Sequence, residues 1–176
     1  MKENPFRYGQ IVTGEYFTDR ENEIKEISEE IISGQSIILI SPRRYGKTSV
    51  VINAVNKLKL PWIKIDMQLI TDELDLSNNL IRKVLSLSKF EKIKNYLKKL
   101  KIQPAVQYDP ATEEISVVFN PGEKNIKIYL EDALELSQKV ATNISKRIIV
   151  IFDEFQEVRR ISKDLEKKMR GDFSIS

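Results

Sequence analysis

Two short stretches hold most of the chemistry this sequence can offer: "SPRRYGKTS" at 41–49 and "IFDE" at 151–154. In the first, Gly46 lets the backbone approach an anion closely. Lys47 adds a mobile positive charge, and Thr48 a hydroxyl able to ligate magnesium. A helix starting here would aim its first N–H groups, and the positive end of its dipole, at the same small volume. The spacing is that of a phosphate-cradling loop, G-x-x-x-x-G-K-[ST], met at every position except Ser41. Serine is small, but its Cβ resists positive φ, so a slightly altered loop is expected. Ser41, Pro42, Arg43, Arg44, Tyr45, Gly46, Lys47, Thr48 and Ser49 are the candidate phosphate-binding residues. The plain alternative is an ordinary Gly-Lys-Thr turn.

The second stretch supplies what a bound triphosphate needs next. "IIVIFDEF" reads as a buried strand with acids at its end, so Asp153 and Glu154 emerge at the C-terminal edge of a sheet. Asp153, with Thr48, is the candidate magnesium ligand. Glu154 is the candidate base that orients and deprotonates a water, and Lys47 the candidate catalytic cation. The alternative is a pair of acids capping the loop after a buried strand.

Composition closes other routes. The chain of 176 residues, net charge +3, has no Cys and no His. Disulfides, thiolate metal sites, cysteine nucleophiles and histidine catalysis are excluded. The opening "MKENPFRYGQ" lacks the apolar core of a signal peptide, and "IILI" and "IIVIF" are too short to span a bilayer. A cytoplasmic location without membrane contact is expected. The lysine-rich "KFEKIKNYLKKLK" keeps Phe90, Ile93, Leu97 and Leu100 at helical spacing and reads as a solvated helix face.

The elements that must position these residues follow from periodicity. Thr18 and Glu21 have capping-box spacing, Ile24, Ile27 and Ile31 form a stripe, and Gly34 is a natural stop. "SIILI" (36–40) predicts a buried strand leading into the loop. A helix follows, with Val51, Ala54, Val55 and Leu58 inward. "PWIKID" (61–66) predicts a second strand. Residues 74–100 predict one or two helices, with Leu76, Leu80, Val84 and Leu87 in phase. Around 101–125, Ile115, Val117 and Phe119 alternate after a turn at Asp109-Pro110, which predicts a small hairpin off the main sheet. "IKIYLEDALELSQKVATNIS" predicts a helix, then comes the Asp-Glu strand. Strands alternating with helices predict an α/β fold with a mostly parallel sheet.

At this point the chain resembles a known group. "NPF" (4–6), "YFTDREN" (16–22), "SPRRYGKTS" and "IFDEFQE" (151–157) look like the archaeal ATPase family, a branch of the AAA-like P-loop NTPases. The resemblance runs over nearly the whole chain and implies a three-layer P-loop sandwich that binds ATP and Mg2+ and hydrolyses ATP. It also implies a base pocket built from Phe6, Phe17 and Arg20; the plain reading of the two phenylalanines is core packing. Arg43 and Arg44 match the family's loop, with solvent-facing charge as the alternative. A DNA partner is implied by family analogy alone.

The family continues past its Asp-Glu strand with a further strand, a polar sensor, an arginine and a winged-helix domain. None is visible by Ser176. The expectation is one ATPase domain over 1–176, truncated after the Asp-Glu strand, with a hairpin insertion. Alternatively a second copy or another partner completes the sheet. Arg147 should lie at the far end of that strand, and Arg159 and Arg160 on a short helix facing solvent. Poor hydrolysis is therefore expected. Two readings remain: an ATP-hydrolysing motor or switch, and a truncated nucleotide-binding module with little turnover.

Overall fold

Periodicity becomes helix wherever an apolar stripe finds a partner. The computed structural model describes residues 20–42, 45–88, 105–109, 114–118, 126–161 and 165. The chain divides into two compact units, residues 1–60 with 169–176, and residues 61–168.

In the first unit, α1 (Glu21–Ser33) packs against α2 (Lys47–Leu58). α1 buries Ile27, Ser28 and Ile31. It starts after Arg20, whose φ of 77° is left-handed. Glu21 occupies the first helical position; Thr18, the expected capping residue, lies outside the described residues. At the other end Gly34 takes φ 85°, and the N–H groups of Gly34 and Gln35 donate to Ile31 and Glu30. This is a Schellman stop, which glycine permits without steric cost. α2 buries Val50, Ile52, Ala54 and Val55; Val51 and Leu58 are half-buried.

The expected buried strand at 36–40 is not there. Residues 35–42 join no strand ladder, and Ile38 and Ile40 are 58% and 92% exposed. A short apolar run becomes a buried strand only where a neighbouring edge takes its backbone hydrogen bonds and a layer covers each face. The described residues of the first unit form helices only, so no such edge is at hand within it.

In the second unit, β1 (Trp62–Asp66) and β4 (Ile149–Asp153) pair in parallel. The register sets Lys64 opposite Ile151 and Asp66 opposite Asp153. β1 buries Ile63 and Ile65, while Trp62, Lys64 and Asp66 on its other face are half-buried. β4 is half-buried along its whole length, less than its apolar run suggested. In a two-stranded sheet each strand is an edge, so neither is enclosed on all sides. α3 (Glu73–Leu85) is capped by the Asp72 carboxylate, which accepts from the Asp75 N–H. It packs against β1 and against α4 (Ile126–Ile144). Leu76, Leu80 and Val84 on α3, and Ala133, Leu136 and Val140 on α4, form the centre of this unit's core. β2 (Ala105–Asp109) and β3 (Glu114–Val118) form a separate antiparallel hairpin. The lysine-rich stretch 89–101 lies outside the described residues. Among them, no helix is long and apolar enough to cross a membrane.

Candidate functional site

The candidate residues of the loop lie in the first unit. Gly46 is the N-cap of α2, with φ 68° and ψ 23°, a left-handed conformation that glycine adopts freely. A Cβ placed there would meet nothing within 4 Å. Glycine is therefore required by the backbone angle rather than by crowding, and the space above the helix start stays open. α2 begins with Lys47, Thr48 and Ser49. Gly46 brings no side chain to cap it.

Lys47 does not extend into solvent. Its Nζ donates to the Ser41 carbonyl at 2.8 Å, tying the first residue of α2 back to the start of the loop. Ser41 is not among the residues with positive φ. The steric objection to serine at this position therefore does not arise: the chain passes Ser41 without the angle that would demand glycine. The Ser41 hydroxyl donates only a long bond, 3.4 Å, to the Pro42 carbonyl. Thr48 is half-buried and Ser49 buried. Tyr45 is exposed, and the Arg20 guanidinium lies 5.9 Å from its ring centroid, within cation–π range. Arg20 also pairs loosely with Glu23 at 4.0 Å. One base-pocket candidate is thus tied to the loop within this unit. Phe6, Phe17, Arg43 and Arg44 lie outside the described residues.

The acidic candidates lie in the second unit, at the C-terminal end of β4. Asp153 uses both carboxylate oxygens. Oδ2 accepts from Lys64 Nζ at 3.0 Å, and Oδ1 from the Glu154 N–H at 3.2 Å. Glu154 has φ 52° and ψ 43°. For a residue with a Cβ this conformation costs about 1–2 kcal/mol. Its Oε2 accepts a short hydrogen bond from Gln156 Nε2. The ring of Phe155 packs on Phe152, centroids 6.2 Å apart, and steadies the turn from behind.

Arg159 and Arg160 are exposed, as expected, but Arg160 also makes contacts the sequence did not suggest. Its Nη2 donates to the Met67, Gln68 and Ile70 carbonyls at 3.4, 3.3 and 2.7 Å, and its Nε lies 3.3 Å from Glu157. It fastens the short helix Val158–Ile161 to the turn after β1, because that turn presents several carbonyls to one side. Arg147 is exposed two residues before β4 begins, at the end opposite Asp153.

Two residues were missed by sequence reasoning, Lys64 and Gln156. Lys64 is 89 positions from its partner, and only the β1–β4 register brings them together. Gln156 was within reach, since a side chain two residues past a left-handed turn can fold back on it.

The Thr48 hydroxyl in the first unit and the Asp153 carboxylate in the second are each oxygen donors of the hard kind that magnesium takes. Neither a family model, nor a curated protein, nor a solved structure matches the chain.

Proposed function

We propose that the chain binds ATP with Mg2+ through the loop 41–49 and the carboxylate of Asp153, as a P-loop ATPase domain of the archaeal ATPase type. The observation that carries the reading is the loop's closure. A left-handed Gly46 feeds α2, and Lys47 folds back on the Ser41 carbonyl. An anion entering this ring would meet the helix N-terminus and take the lysine ammonium from a neutral carbonyl acceptor, a gain because charge-assisted bonds are the stronger ones.

In this reading the backbone N–H groups of the loop and of the first turn of α2 cradle the β- and γ-phosphates. Lys47 neutralises charge that grows on the γ-phosphate oxygens as the bond breaks. Thr48 and Asp153 would hold magnesium, which withdraws charge from the same oxygens. Glu154 orients a water and accepts its proton. Its strained turn and the bond from Gln156 favour a fixed carboxylate. Arg20 over Tyr45 gives the base side of the loop a cationic, aromatic wall.

Turnover is slow in this account. Related enzymes gain about 10³–10⁵ in rate from an arginine at the γ-phosphate. Arg160, which follows the acids, is bound to three carbonyls instead. The test is ATP binding by calorimetry with Mg2+, on the wild-type chain and Lys47→Ala. Binding lost in the variant supports the reading; equal affinity in both contradicts it.

A further inference from the structure

We infer that Lys64 is a resident counter-ion that competes with magnesium for Asp153. This rests on the reading of Asp153 as the metal-side carboxylate. The register sets Asp66 directly opposite Asp153 on adjacent parallel strands, about 4.8 Å apart by sheet spacing. The cation beside Asp153 is Lys64. It lies two residues before Asp66, on the same face of β1, and its Nζ is 3.0 Å from Asp153 Oδ2. Asp66 is occupied elsewhere, accepting from the Gln68 N–H at 3.0 Å. Asp153 is thus the carboxylate that Lys64 engages.

The ion pair is 27% and 21% exposed. It is not a deep structural pair that only unfolding would break. Nor is it a fully solvated one, in which water would screen the lysine from an incoming ion. When a divalent cation approaches Asp153, directly or through water, it meets the lysine ammonium already at Oδ2. Either the lysine swings out or the metal binds against its charge. Both raise the magnesium concentration needed to load the site. Lys64 therefore acts as a positioning residue with two effects of opposite sign. It steadies Asp153 without metal, and it weakens the metal's hold.

The experiment measures the Mg2+ concentration giving half-maximal ATP binding, on the full chain. Lys64→Met keeps the stem and removes the charge. It is expected to lower that midpoint about tenfold, within the span usual for coupled sites. It should also lower the melting temperature in EDTA and regain the loss when Mg2+ and ATP are added. Lys64→Arg keeps the charge and should stay within about twofold of wild type. A second measurement needs no folded Met variant. The Lys64 Nζ resonance, assigned through Lys64→Arg, should move when Mg2+ is added to the ATP-bound wild type. An unmoved resonance, or an unchanged midpoint in folded Lys64→Met, overturns the proposal while ATP binding stands. Failure of the wild type to bind ATP overturns the functional reading and this proposal with it.

Discussion

Gly46 and Glu154 do the same thing with the backbone in two different units. Each turns the chain through a left-handed conformation into a helical turn: φ 68° and ψ 23° at Gly46, φ 52° and ψ 43° at Glu154. The first position has the residue that adopts this angle without cost. The second has one that resists it. Arg20, Lys59 and Ser145 also take positive φ; at Glu154 the proposed function gives the carboxylate a use. The same angle thus leaves open space over a helix start in one unit and presents a fixed acid in the other.

The largest expected effect bears on that acid. Glu154→Gln keeps shape and hydrogen-bonding capacity but removes the base. A slow wild-type ATPase rate, below about one per second, should fall by about 10²–10⁴, with ATP affinity kept. Phosphate-release assays beside calorimetry would check this, and an unchanged rate would reduce Glu154 to a loop cap.

The next effect tests the two turns against each other by thermal or urea melts. Gly46→Ala should destabilise by about 1–2 kcal/mol, because alanine is forced left-handed. Open space around the position gives it no further steric penalty. Glu154→Gly should shift stability by less than about 1 kcal/mol, strain relief opposing the entropy glycine adds to the unfolded chain. Equal losses in both variants would show that the angle is not what distinguishes the sites.

The smallest effect concerns Ser41. Its φ is not positive, so Ser41→Gly should leave ATP affinity unchanged or modestly better by calorimetry. A large loss would mean that the hydroxyl makes a contact the nucleotide needs.

Much of this was legible in the sequence because it is local. The stripes of α1, α2, α3 and α4, the Gly34 stop, the strand at 62–66 and the hairpin depend on neighbours a few residues away. The loop's lysine and glycine were legible for the same reason. What was not legible depends on distant partners. "SIILI" has the composition of a buried strand, but composition does not say whether an edge is present to pair with it. Residues 36–40 instead join no sheet and are exposed. Arg160 is exposed as expected, but its three carbonyl acceptors, 90–93 positions earlier, could not be read from neighbouring residues. Lys64 was invisible as a partner of Asp153 until the parallel register was known.

The central claim is that loop 41–49 holds the phosphates of ATP through the lysine now folded onto Ser41. Calorimetric titration of ATP with Mg2+ into wild type and Lys47→Ala tests it most directly. The account predicts measurable binding by wild type and a loss of about a hundredfold or more in the variant, the scale of removing a buried charge-assisted hydrogen bond. Equal affinities in two equally folded proteins would contradict it.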